Sequence, residues 1–103
     1  MSSTPAAAAP PAPATRAPVR VLLVEDETLF ATAVRKRLER AGMRCELAAT
    51  LAEARTRIAP GLPDLVLLDL HMPDGSGMQL LEHLPREADA TPPIIVLTAY
   101  AEV

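Results

Sequence analysis

Leu65-Val66-Leu67-Leu68-Asp69-Leu70-His71-Met72-Pro73-Asp74-Gly75-Ser76-Gly77 is the stretch that decides the fold. An apolar run of strand length, Asp64–Leu68, stops on a carboxylate and turns through Pro73-Asp74-Gly75. Being the most apolar run, it reads as a central strand. Two further runs share this form. Arg20-Val21-Leu22-Leu23-Val24 leads into Glu25-Asp26-Glu27, and Ile94-Ile95-Val96-Leu97 leads into Thr98. If the three are neighbouring parallel strands, three carboxylates and a hydroxyl gather at one sheet edge. Such a cluster is costly without a cation; with a divalent metal it becomes a place to receive a phosphoryl group.

Between these strands the period changes. Thr28 to Ala41 reads as a helix, with Leu29, Ala33, Val34, Leu38 and Ala41 on one face and Gly42 as its stop. Arg44–Ala48 alternates as a half-exposed edge strand does. Thr50-Leu51-Ala52-Glu53 has the form of a capping box opening a helix to Ile58, ended by Pro60-Gly61. Ser76 caps a third helix through Leu84, with Met78, Leu81 and Leu84 expected toward the sheet. The order is strand, helix, strand, helix, strand, helix, strand. Alternation of this kind implies an α/β fold with parallel pairing, with its chemistry beyond the carboxyl ends of the strands. Glu25, Asp26, Asp69 and Thr98 all fall on that edge.

Composition narrows the function. The chain has 103 residues and a net charge of −3, so it holds one domain at most and carries no general attraction to nucleic acid. Arg35, Lys36, Arg37 and Arg40 form a solvated helix face rather than a nucleic-acid patch. Residues 1–18, MSSTPAAAAPPAPATRAP, read as a disordered Pro/Ala-rich tail and lack the continuous apolar core of a secretory signal. Residues 19–103 form the folded part. No run is long enough to cross a bilayer. Cys45, the single cysteine, excludes an intrachain disulfide and fits a reducing, cytoplasmic setting. No Gly-x-x-x-x-Gly-Lys occurs, and position 71 is His where a phosphohydrolase Asp-x-Asp motif needs Asp. The chain is not read as an enzyme.

VLLVEDE (21–27), LVLLDLHMPDGSG (65–77) and IIVLTAY (94–100) together resemble the receiver domain of two-component response regulators. The resemblance implies a flavodoxin-like, doubly wound parallel sheet. By position, Asp69 resembles the phospho-accepting aspartate, and Glu25 and Asp26 the acidic pair that organises Mg²⁺ beside it. His71 falls where the family uses a backbone carbonyl as metal ligand. Thr98 resembles the hydroxyl that binds the phosphoryl group and moves on activation. The partner implied is a sensor histidine kinase or phosphotransfer protein. The family has five βα units. This sequence supplies three and a fourth strand, without the fourth helix, fifth strand and fifth helix, so it reads as C-terminally truncated. The family's strand-end lysine is missing as well, since Lys36, the only lysine, lies in the first helix. The truncation predicts an unpaired apolar edge on the last strand, partial exposure of Val21 and Leu23, and self-association. An alternative reading is a phosphorylation-incompetent pseudo-receiver that serves only for docking or dimerisation.

Overall fold

β1 (Arg20–Val24) and β3 (Leu65–Asp69) each become buried after their first residue. Strands whose two faces are both apolar belong in the interior of a sheet covered on both sides, and there they lie. The computed structural model describes residues 17–85 and 90–97. Its main sheet has the order β2 (Arg44–Ala48), β1, β3, β6 (Ile94–Leu97), with every pairing parallel. β2 takes one edge, where its alternating pattern fits a half-exposed position. Among the described residues β6 takes the other. The chain runs from β1 outward to β2, then returns to build β3 and β6 on the opposite side. The order therefore reverses between β1 and β3.

Period-two alternation sorts the strand side chains into two cores. Val21 and Leu23 face α1 (Thr28–Arg40), where Ala31 is buried and Val34 and Leu38 pack against them. Leu22, Val24, Val66 and Leu68 face α2 (Leu51–Ile58) and a short 3₁₀ helix, η1 (Gly77–His83). The expected exposure of Val21 and Leu23 is thus overturned: they are 1% and 0% exposed. The α1 face, together with Cys45 and Leu67, covers them. Among the described residues of the sheet strands, large apolar side chains are exposed on β6, where Ile95 and Val96 are 50% and 43% exposed.

Two helix faces differ from the sequence reading. On α1 the buried stripe is Ala31-Val34-Leu38, while Leu29 is exposed and Ala33 and Ala41 stay in solvent. The third helix is 3₁₀, at about three residues per turn, so Leu80 stacks over Gly77 and enters the core. Met78, expected inward, is exposed. Leu84 is buried as expected. The helix ends follow local chemistry. Glu27 caps α1 by accepting the Phe30 N–H, and Gly42 leaves it at φ +90°, a conformation that costs glycine little. Thr50 Oγ1 accepts the Glu53 N–H at 3.0 Å while Glu53 Oε1 accepts the Ala49 N–H at 2.8 Å, a complete capping box.

The segment after β3 folds back as a small hairpin, β4 (His71–Met72) against β5 (Gly75–Ser76). Gly77 closes it by donating its N–H to the Leu70 carbonyl at 2.8 Å. A Cβ at Gly77 would fall on the Asp69 carbonyl oxygen, with Leu68 Cδ1 and Leu70 Cα each only 3.0 Å away. Backbone cannot yield as a flexible side chain does. Gly77→Ala is therefore expected to cost about 1–3 kcal/mol, in the range of overpacking, read as a lower urea midpoint. An unchanged midpoint would contradict this close packing.

Candidate metal and phosphoryl site

The strand register builds the site. Val24 lies opposite Leu68 in the β1–β3 ladder, so the next residue of each strand, Glu25 and Asp69, emerges level at the reversal of strand order. Open parallel sheets bind ligands in that crevice. Oxygen atoms of Glu25, Asp26 and Asp69 lie within 4.8 Å of one another. Glu25 and Asp69 are 6% and 5% exposed, whereas Asp26 faces solvent.

Each buried carboxylate is tied to its own loop. Glu25 Oε2 accepts the Glu27 N–H at 3.0 Å, and Asp69 Oδ1 accepts the His71 N–H at 3.0 Å. These bonds orient one oxygen of each group. Among the described residues no arginine or lysine forms an ion pair with the three acids. The electrostatic consequence falls on Glu25. Burial pushes its carboxyl above the usual glutamate range, and the adjacent Asp69 and Asp26 charges push the same way against the Glu27 N–H. Cys45 is buried on the other side of β1, with its thiol pushed up by burial. A thiol held in that form is a poor nucleophile.

A cluster of hard oxygen donors with uncompensated negative charge fits Mg²⁺, which takes few protein ligands and keeps several waters. Of the residues singled out in the sequence, the structure brings Glu25, Asp26 and Asp69 together. It sets the His71 backbone beside Asp69 through the hydrogen bond above. Thr98 lies outside the described residues, as do residues 1–16 of the N-terminal tail. Sequence reasoning missed Asp74 as more than a turn former: its carboxylate accepts the N–H groups of Leu51 and Ala52 at the start of α2. No local signal could have exposed that link, because the partners lie 22 and 23 positions upstream.

Comparison with known proteins agrees with this geometry. The model of the response regulator receiver domain matches residues 21–103. The KDP operon transcriptional regulatory protein KdpE of Escherichia coli is 43% identical over 82 residues, covering 80% of this chain and 36% of that protein. The chain thus spans about a third of the length of such relatives. The non-phosphorylated HemR receiver domain of Leptospira biflexa superposes with a TM-score of 0.71 at 39% identity, covering 82% of this chain and 68% of that one. The MaeR response regulator bound to beryllium trifluoride gives 0.68 at 32% identity, covering 82% and 70%.

Relieving the charge crowding is expected to stabilise the metal-free protein. Glu25→Gln keeps a side-chain acceptor for the Glu27 N–H and removes a buried charge, so its Tm at pH 7 without metal should rise. The same variant should lose most of the stabilisation that Mg²⁺ gives the parent, which at a hundredfold excess over Kd amounts to about 2.7 kcal/mol. Thermal melts with EDTA and with Mg²⁺ measure both. A parent whose Tm ignores Mg²⁺ would contradict the metal assignment.

Proposed function

The chain belongs to the response regulator receiver domain family, and from that premise we propose that it accepts a phosphoryl group on Asp69 from a sensor histidine kinase or phosphotransfer protein, with Mg²⁺ held by Glu25, Asp26, Asp69 and the His71 backbone carbonyl. The observation that carries this reading is the approach of three carboxylates to within 4.8 Å.

The residues divide the work. Asp69 presents one oxygen to the His71 N–H and has the second as nucleophile. Attack by that oxygen on the donor phosphorus forms an acyl–phosphate bond as the donor's P–N bond breaks, and the electron pair leaves with the imidazole nitrogen. An Mg²⁺ ion held by these acids would supply positive charge that offsets repulsion between the incoming phosphoryl oxygens and the carboxylates. Glu25, fixed by the Glu27 N–H, serves as a preorganised acidic wall, and exposed Asp26 completes the ligand set from the solvent side. Thr98 follows Leu97 in the sequence and is proposed as the hydroxyl that binds the phosphoryl group. His71 acts through its backbone, so its imidazole has no assigned role. The N-terminal Pro/Ala-rich segment is assigned no part in phosphoryl transfer.

One observation favours a second reading. Ile95 and Val96 are exposed on a strand with no partner on its outer side among the described residues, and unprotected edges invite pairing. A docking or dimerisation module without phosphoryl transfer would use that edge.

Incubation with acetyl phosphate and Mg²⁺ separates the two. The expected result is one phosphoryl group per chain by intact mass, absent in Asp69→Asn and absent when EDTA replaces Mg²⁺. Folded protein that takes up no phosphoryl group from either acetyl phosphate or a phosphorylated histidine donor would leave the docking reading standing.

A further inference from the structure

Asp74 follows Asp69 by five positions and is not one of the three clustered acids, yet its carboxylate is tied to a second element and not only to its own turn. It occupies the turn between β4 and β5, and both carboxylate oxygens point into the first turn of α2. Oδ1 accepts the Leu51 N–H at 2.8 Å and Oδ2 the Ala52 N–H at 3.0 Å. The remaining amide of that turn, Glu53, is already satisfied by Thr50 Oγ1. Helix α2 therefore has two separate caps. One is the local Thr50–Glu53 box. The other is brought from a hairpin 22 and 23 residues later.

The near end of that hairpin carries the candidate site. Asp69 Oδ1 holds the His71 N–H. His71 pairs with Ser76 and Met72 with Gly75. The Gly77 N–H binds the Leu70 carbonyl at 2.8 Å. A Cβ at Gly75 would meet the Gln79 side chain and Leu51 Cδ1, and its φ of +143° strains any other residue. The loop is thus fixed at one end by Asp69 and at the other by Asp74. A carboxylate bridging two N–H groups at a helix N-terminus is a charge-assisted pair favoured by the helix dipole. The Leu51 N–H, joined by that of Ala52, holds the Asp74 carboxyl below the usual aspartate range, so it stays anionic at neutral pH.

We propose that Asp74 is a positioning residue for cation binding: by clamping the hairpin turn to the first two N–H groups of α2, it fixes the His71 backbone beside Asp69 and sets the affinity of the acidic cluster for Mg²⁺. This rests on the Mg²⁺ reading above. A helix cap with a purely structural role would influence stability alone. The clamp acts on both stability and metal, because it joins the helix to the segment that supplies a ligand.

The test is isothermal titration of the full chain with MgCl₂, in parallel with thermal melts in EDTA. Thr50→Ala is the control, since it removes the other cap of the same helix end and leaves the hairpin clamp intact. Asp74→Ala is expected to weaken Mg²⁺ binding about tenfold, in the range of outer-sphere substitutions at metal sites, with Asp74→Asn intermediate because it retains one acceptor oxygen. Thr50→Ala should lower the Tm but leave the Mg²⁺ affinity within about twofold. If Asp74→Ala does not fold, Asp74→Asn carries the comparison. Equal Mg²⁺ affinity in the parent and the Asp74 variants, or an equal loss in Thr50→Ala, would overturn the positioning role while leaving the metal site standing. A folded parent that takes up no Mg²⁺ would overturn the metal reading itself, and this inference with it.

Discussion

The parallel register between β1 and β3 forces like charges together. With Val24 opposite Leu68, the chain has no freedom to separate Glu25 from Asp69 unless the ladder slips. A slip of β3 by one residue along β1 would turn Val66 and Leu68 out of the core they share with Leu22 and Val24 and toward the α1 side. Hydrophobic burial on both sheet faces therefore holds an unfavourable arrangement of carboxylates. In energetic terms the cores stabilise the fold and the edge spends part of that stability on a site. Strain or charge concentrated where chemistry occurs is a general feature of binding sites.

The crowding is partly relieved without any cation. Each buried carboxylate accepts one backbone N–H two residues ahead, Glu27 for Glu25 and His71 for Asp69. These short loops hold the acids in fixed orientations, so a bound ion would meet ligands already ordered. The remaining imbalance is visible in Glu25, whose carboxyl is raised by burial and then by the neighbouring charges. Asp26, exposed, is hydrated and contributes at lower cost.

Much of this was legible in the sequence because the signals were local or periodic. The runs Arg20–Val24, Arg44–Ala48 and Ile94–Leu97 coincide with strands, and Thr50–Glu53 opens α2 as its capping pattern implies. The proximity of Glu25, Asp26 and Asp69 followed from combining strand ends with topology. The misses have physical reasons. Leu29 and Ala33 lie beside the true stripe of α1, since a helix of mostly small and charged residues leaves its phase poorly defined. Leu80 falls outside the face that a period of 3.6 predicts, because this helix has a period of three. The sequence reading exposes Val21 and Leu23 in part, yet among the described residues α1 packs over them through Ala31, Val34 and Leu38, with Cys45 and Leu67 in the same core. The Asp74 link is long-range and leaves no trace in its neighbours.

The hairpin following β3 explains why η1 is short and tightly wound. Gly77 must satisfy two demands at once: its N–H reaches back to the Leu70 carbonyl, and its Cα approaches the Asp69 carbonyl too closely for a Cβ. The helix begins at this contact, capped by Ser76 Oγ accepting the Met78 N–H at 3.2 Å, and has to place Leu80 and Leu84 over β3 within two turns. The tighter winding turns Leu80 inward directly above Gly77. The backbone of the candidate acceptor is thus enclosed by the same residues that close the core beneath it. Packing under the sheet and geometry at its edge are consequently one constraint, acting through the Asp69 main chain.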